Sequence, residues 1–223
     1  MFKFLRSCSL FAVAASLFAV TAHAQTVTPL QRQLSRIDLG ISAPFEFTRT
    51  TSGSTPASFH TLVTVNPSTS AGYMFTLRYT ASPLVGLEMN YKYTRATQNY
   101  IYTPSGTTTP VPFGVQANIN ETSWGYVAHA PGEYFGIKPF GGVGLGTLRF
   151  QPTSAGGQGV LKQYRAAYYW NLGGDYTILG SHFGARAQIR QIFYKAPDFG
   201  QNYLTSGTHT STFEPSIGFF ARF

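Results

Sequence analysis

Apolar and polar residues alternate one by one along most of this sequence. Between Ile37 and Phe47 every second residue is apolar, while Asp38 and Glu46 stand at intervening positions. Because successive residues of a strand point to opposite faces of a sheet, this period of two predicts a β-strand with one apolar face. Seven further segments repeat the pattern. The sequence therefore predicts eight strands, near residues 37–48, 73–80, 85–94, 115–129, 135–149, 164–176, 183–193 and 212–223.

The apolar face changes sides within the fourth of these segments. Trp124 and Tyr126 share one parity, whereas Val115 and Ile119 have the other. A β-bulge inserts one extra residue and shifts the facing of all that follows. We therefore predict a bulge near Asn120, which places both sets on one face.

The connections between the predicted strands alternate in length. Those after the second, fourth and sixth strands are the tight turns ASPL, APGE and ILGS, whereas the others are long and rich in Ser, Thr, Gly and Pro. Aromatic residues stand where the strands meet the long connections. Short periplasmic turns, long extracellular loops and aromatic girdles are typical of outer-membrane barrels.

The polar faces of the predicted strands carry charges of both signs. A sheet that crosses a bilayer must close on itself, because hydrocarbon cannot satisfy the backbone N–H and C=O groups of an open edge. The competing interpretation is a soluble, exported sandwich or lipocalin-like barrel, whose apolar faces point inward. The aromatic belts and the terminal Phe223 favour the membrane. The predicted fold class is all-β: an eight-stranded antiparallel up-and-down transmembrane β-barrel.

The first 24 residues have the composition of a secretory signal peptide. Lys3 and Arg6 precede the apolar run LFAVAASLFAV, and Ala22-His23-Ala24 forms a small-residue cleavage site. We expect three parts: a signal peptide at 1–24, a periplasmic segment at 25–35 and an outer-membrane barrel domain at 36–223.

Removal of the signal peptide changes the chemistry of the chain. It takes away Cys8, the only cysteine, so no thiol or disulfide is expected in the exported protein. It also lowers the formal charge from +8 to +6, because Lys3 and Arg6 leave with it. An exported protein meets anionic lipopolysaccharide before it meets nucleic acid, so we expect outer-membrane lipids as partners and no nucleic acid.

We expect the charged residues of the polar faces to fill the barrel interior, since eight strands leave room only for side chains. Arg186 and Arg190 lie on the same face of the seventh strand. They are predicted to project into one region of the lumen, where they pair with Glu88 or Glu214. The role expected for this cluster is structural. An ion-conducting or proton-relay role is the alternative.

Few residues suggest catalysis. His209 and Ser211 in THTST are predicted to face the lipid near the outer rim, and a lipid A deacylase displays a similar His-x-Ser pair, but no following Asn and no acidic partner is evident. His60, His129 and His182 lack metal-ligand spacing. We expect no enzyme, cofactor or metal site. The segment KAPDFG is expected to form a packed turn, or to fold over the rim or meet a partner.

The C-terminal stretch SIGFFARF, with Gly218, Phe219 and Phe223, resembles the signal read by the barrel-assembly machinery of diderm bacteria. With the eight strands, it makes the chain similar to the OmpA/OmpX-type outer-membrane barrel superfamily. The segments RYTASPLVGLEMNYKYTRATQNY, KPFGGVGLG and FYKAPDFG look more closely like an acidobacterial-type family of barrels of undefined role. The resemblance implies an outer-membrane location and the assembly machinery as a partner.

Three functional hypotheses remain. The first is a structural or surface-interaction protein that acts through its extracellular loops on an unidentified ligand. The second is a narrow channel for small solutes, and the third, less favoured, is a lipid A-modifying enzyme.

Overall fold

The computed structural model describes residues 28–54, 62–104, 106–180 and 182–223. The predicted signal peptide and His60 lie outside the described residues, and the boundaries at residues 24 and 35 stay predictions. Residues 33–223 form one compact unit. No helix in the described part of the chain is long and apolar enough to cross a membrane.

The chain forms mainly β-strands. In chain order the elements are α1 (Pro29–Leu34), β1 (Ile37–Thr48), β2 (Thr51–Ser54), β3 (Leu62–Pro67), β4 (Ser70–Thr80), β5 (Val85–Tyr102), β6 (Val111–His129), β7 (Ile137–Pro152), β8 (Gln163–Leu179), β9 (Phe183–Lys195), a 3-10 turn (Asn202–Leu204) and β10 (His209–Arg222).

Eight of these strands close into an antiparallel barrel. β1 and β4 to β10 each pair with the next of the eight along the chain, and β10 pairs with β1. β2 and β3 form a hairpin within the first long connection, and β3 pairs with the end of β5. The predicted eight-stranded up-and-down barrel is confirmed. We call the end with the connections after β4, β6 and β8 the short-turn end, and the opposite end the long-loop end.

The alternation of the sequence separates the two faces of the barrel wall. On β1, Leu39, Ile41 and Phe45 point outward and are each 48% or 49% exposed, whereas Asp38 and Glu46 point inward and are 1% and 5% exposed. Apolar side chains outside and charged side chains inside are the arrangement of a transmembrane barrel, and the reverse of a lipocalin-like barrel.

The predicted bulge near Asn120 is wrong. β6 pairs residue by residue with β5 from Val111 to Ala128 without a break. Trp124 and Tyr126 point outward, and Val115 and Ile119 are buried inside. The apolar residues of β6 change sides because inward-facing positions are polar over most of the lumen but apolar at the long-loop end.

A compact apolar core closes the long-loop end. Val63, Val115, Phe150 and Phe199 are completely buried in it, and Tyr100 is 1% exposed. We call this group the apolar cap. Its members come from β3, β5, β6, β7 and the connection between β9 and β10, so the hairpin and that connection extend the barrel beyond its charged part.

Candidate functional site

Five buried charges form a cluster near the short-turn end. Arg78 donates two hydrogen bonds to Glu88 Oε2, from Nη2 at 2.6 Å and from Nε at 3.1 Å. Arg186 donates to both carboxylate oxygens of Asp175, at 2.7 and 2.9 Å, and Arg186 Nη2 also lies 3.2 Å from Asp38 Oδ1. Arg78 Nη1 lies 3.4 Å from Asp175 Oδ2 and so connects the two arginines through one carboxylate. We call these five residues the turn-side cluster.

Five more charges form the loop-side cluster, nearer the apolar cap. Lys92 Nζ lies 2.6 Å from Glu46 Oε1 and 3.0 Å from Glu121 Oε2, and it also donates to Glu214. Arg190 Nη2 lies 2.6 Å from Glu121 Oε1, and Arg190 Nη1 lies 3.2 Å from Glu214 Oε2. Three carboxylates thus surround two cations. Such mutual pairing is what allows charges to remain inside a barrel, because an unpaired buried charge is costly.

The predicted pairing agrees with the structure for Arg190 and differs from it for Arg186. Arg190 contacts Glu214, but Arg186 contacts Asp175 and Asp38, while Glu88 contacts Arg78. The two arginines lie in different clusters because four residues of a strand span roughly 13 Å at about 3.3 Å per residue. Both side chains point into the lumen, but at different positions along the barrel axis.

Aromatic rings fill the space beside these cations. The Arg78 guanidinium lies 4.2 Å from the ring centre of Phe140, and the Arg190 guanidinium lies 4.5 Å from that of Tyr169. Such positions add a cation–π attraction to the ion pairs. Gly144, in KPFGGVGLG, makes room for one ring, since a Cβ there would lie 2.6 Å from Tyr169 Cζ.

The lumen between the loop-side cluster and the apolar cap is almost completely filled. A cavity of about 10 Å³ remains there, lined by Glu46, Lys92, Glu214, Phe150 and Tyr194 among others. A single water molecule needs about 10–15 Å³. Among the residues that the structure describes, this cavity is too small to hold a continuous column of water.

The KAPDFG segment folds over the long-loop end rather than away from it. The Phe199 ring packs edge-on against Tyr100 and Phe150, with ring centres 6.4 Å apart in both cases. Tyr100 Oη donates a hydrogen bond of 2.9 Å to the Pro197 carbonyl, and Arg165 Nη2 lies 2.9 Å from Asp198 Oδ2. The segment is therefore both anchored and buried.

Asp198 is held in its ionised form. Burial raises the pKa of its carboxyl, but hydrogen bonds from Gln163 and from the Gly200 N–H, together with the charge of Arg165, outweigh burial and lower the pKa below its usual value. Gln163 Oε1 in turn accepts the backbone N–H groups of Asp198 and Phe199, at 2.9 and 3.0 Å. A single side chain of β8 thus fixes the path of the segment.

The histidines occupy separate places. His209 faces outward at the start of β10, and Ser211 lies two residues further on the same face. His129 is buried, with Nε2 3.4 Å from Arg78 Nη1, and His182 Nδ1 lies 3.1 Å from the Arg222 carbonyl oxygen. Within the described ranges, no group of three His, Cys, Asp or Glu residues is arranged to hold a metal ion.

The residues of the C-terminal motif lie at the contact between the first and last strands. Phe219 is 54% exposed on the outer wall and stacks on Phe183, with ring centres 5.9 Å apart. Phe223 also faces outward and is 47% exposed. Gly218 faces Ser42 of β1, and a Cβ at this position would lie 2.1 Å from the Ile41 carbonyl oxygen. Close strand contact therefore requires Gly218, whatever else reads the motif.

Sequence inspection missed one member of the loop-side cluster, Glu121. Glu121 lies on the face opposite Trp124 and Tyr126, which point outward. The alternation downstream of Asn120 could therefore have placed Glu121 in the lumen.

Comparison with solved structures finds several bacterial outer-membrane proteins that are similar to this chain. The outer membrane protein OprG from Pseudomonas aeruginosa matches with a TM-score of 0.55 and 14% identity, over 84% of this chain and 95% of OprG. Neisserial surface protein A matches with a TM-score of 0.49 and 13% identity, over 83% of this chain and 97% of that protein. Ail of Yersinia pestis matches with a TM-score of 0.46 and 15% identity, over 84% and 99% of the two chains.

These similarities concern the fold. No family model matches the chain, and no curated protein sequence matches it. The likeness to OprG agrees with the predicted class of small outer-membrane barrels. The closer resemblance to an acidobacterial-type family is not shown and stays a prediction.

Proposed function

We propose that this chain is a bacterial outer-membrane protein whose barrel is closed to solutes and whose long loops face the outside of the cell. Its role is then structural, or lies in contacts between the loops and molecules at the cell surface. The observation that carries this proposal is the filling of the lumen, by ten paired charges and by the apolar cap.

The outer wall supports the membrane location. Large apolar side chains point outward from every barrel strand, among them Phe75, Leu87, Trp124, Leu145, Tyr168 and Ile217, which are 48–70% exposed. A wall with this much exposed apolar area requires an apolar surrounding, because burying it in lipid is favourable by about 25 cal/mol per Å².

The orientation follows from the lengths of the connections. Outer-membrane barrels place their short turns in the periplasm and their long loops outside. The apolar cap and the KAPDFG segment then close the barrel on the external side. Assembly of such a protein involves the barrel-assembly machinery, for which SIGFFARF is the candidate signal.

A narrow channel is less well supported. Conduction needs a continuous polar path, and the apolar cap interrupts one between the loop-side cluster and the exterior. A lipid A-modifying enzyme is also less well supported, since His209 forms no side-chain hydrogen bond with the described part of the chain and no carboxylate adjoins it.

Two measurements on one sample test the proposal. The protein refolded in detergent is run on electrophoresis with and without boiling, and is then added to a planar lipid bilayer. We expect faster migration of the unboiled protein, which is typical of a closed barrel, and no stepwise conductance. Discrete conductance steps would contradict the closed lumen, whereas unchanged migration would contradict the membrane barrel itself.

A further inference from the structure

Three basic or titratable side chains stand side by side on the outer wall near the long-loop end. Arg49 follows β1, His209 begins β10 and Lys195 ends β9. The Arg49 backbone N–H donates a 2.9 Å hydrogen bond to the Ser211 carbonyl, and His209 pairs directly with Lys195. Three neighbouring strands therefore present these side chains in one small area.

An open cavity of about 430 Å³ lies in this area. Its lining includes Arg49, His209 and the hydroxyl residues Thr50, Thr208 and Ser211. Such a surface offers cationic and hydroxyl donors together, the combination that binds phosphate oxygens. We call it the rim pocket.

The floor of the rim pocket is aromatic. Phe193 lines it and stacks on Tyr168, with ring centres 5.1 Å apart. One step further toward the short-turn end, Phe47 and Phe213 pair across β1 and β10 and are 50% and 40% exposed. A polar pocket thus lies directly above an apolar wall, as a molecule with a charged head and acyl chains requires.

No carboxylate of the chain neutralises this area. Of the eight acidic residues in the sequence, six belong to the two lumen clusters, Asp198 pairs with Arg165, and Glu133 lies in the short turn after β6. Within the described ranges, Arg49 and Lys195 make no side-chain hydrogen bond or ion pair. Both cations are therefore available to pair with an anionic group of another molecule.

We propose that the rim pocket binds a phosphate group of a phosphorylated glycolipid of the outer leaflet, of the lipid A type. Arg49 contacts the phosphate from within the pocket, and Lys195, which pairs with His209 on the next strand, adds positive charge beside it. The hydroxyl groups contact the remaining oxygens or the sugar, and the acyl chains lie on Phe47, Phe193 and Phe213. This inference rests on the proposed outer-membrane location, which puts the pocket at the level of the lipid headgroups. A zwitterionic phospholipid fits less well, since it brings its own cation with its phosphate.

The test is a titration of the detergent-folded protein with bisphosphorylated lipid A, with bound lipid counted by native mass spectrometry. The variant is Arg49→Gln/Lys195→Gln. The matched control is Arg36→Gln/Lys138→Gln, which removes the same charge near the short-turn end. We expect the rim variant to bind lipid A roughly tenfold or more weakly, because it loses the charge-assisted contacts to the phosphate, and the control to bind like the wild type.

Three further arms separate the sources of phosphate. Monophosphorylated lipid A is expected to bind more weakly, and neither phosphatidylethanolamine nor inorganic phosphate is expected to displace lipid A at equal concentration. The site would be overturned if either compound displaced lipid A, if the rim variant bound lipid A as tightly as the wild type, or if the control lost as much affinity as the rim variant. A wild-type protein that fails to insert into lipid vesicles would instead overturn the proposed function, so the two failures are distinguishable.

Discussion

Arg190 Nη2 and Glu121 Oε1 lie 2.6 Å apart, although they belong to β9 and β6, which are not neighbours in the sheet. The bond therefore crosses the lumen and joins opposite walls of the barrel. Lys92 on β5 and Glu214 on β10 make a second crossing in the same layer. The loop-side cluster thus acts as an internal brace, and its removal should affect the whole barrel.

Lys92→Met tests this brace. The substitution keeps the approximate volume but leaves Glu46, Glu121 and Glu214 with Arg190 as their remaining cation in the cluster. Breaking a buried ion pair from one side costs about 3–5 kcal/mol. We expect a loss of this size in the free energy of unfolding, measured by urea titration in lipid vesicles. The control Lys162→Met, at an exposed loop position, should change it by less than about 1 kcal/mol; equal losses would argue against the brace.

Phe199→Ala tests how firmly the apolar cap holds the connection between β9 and β10. The ring is completely buried against Tyr100 and Phe150, and such truncations cost roughly 3–5 kcal/mol. We expect the connection to open, which increases the rate of tryptic cleavage after Lys195. Tyr134→Ala, at a 60% exposed position, serves as the control and should leave the rate unchanged.

The pH dependence of hydrogen exchange in the KAPDFG segment tests Asp198. Its pKa is lowered in the folded protein, so the ionised carboxyl stabilises the closed connection above the usual value of 3.8. The contribution is lost as the pH falls through the lower, native pKa. We expect the protection of the Asp198 and Phe199 amides against hydrogen exchange, relative to an unfolded peptide at the same pH, to fall in that acidic range. In Asp198→Asn, the amides of residues 198 and 199 should be less protected at neutral pH, and their protection should change less as the pH falls. A wild-type profile in the variant would contradict the assignment.

Leu145→Arg tests the outer wall. Leu145 is 70% exposed in the apolar band of β7, and an arginine at the middle of a bilayer costs a transmembrane barrel about 2–4 kcal/mol. We expect less protein to insert into vesicles, measured as the fraction with heat-modifiable migration. Leu161→Arg makes the same change at a 69% exposed position in a long loop and should insert normally. If both variants inserted equally well, the band would not face lipid.

The sequence predicts the strands well and the lumen less well. Alternation from Ile37 to Phe47 determines which side chains face outward, because a strand allows only two facings. Val115 and Ile119 were misassigned because inward positions become apolar toward the long-loop end, a change that depends on height along the barrel. The hairpin of β2 and β3 also went unpredicted, since its strands of four and six residues are too short to show a clear period.

The partners within the lumen are beyond what sequence inspection provides. Facing tells that Arg186 and Glu88 both point inward, but not whether they lie at the same height. Height depends on the stagger between strands, which is set by the closure of the barrel. The rim pocket needed the structure for the same reason, since Arg49 lies far from His209 along the chain and lines the same pocket only because β1 pairs with β10.

That pairing also distinguishes one step of barrel folding from the others. Every other contact between barrel strands joins strands that are consecutive in the barrel along the chain, but the second edge of β1 is satisfied only when β10, the last strand, pairs with it. Until then, residues 37–48 carry an open row of backbone donors and acceptors that must be kept from other chains. Gly218 and Phe219 lie on β10, the strand that pairs with this open edge. Once the barrel has closed, both edges of β10 are hydrogen-bonded to neighbouring strands.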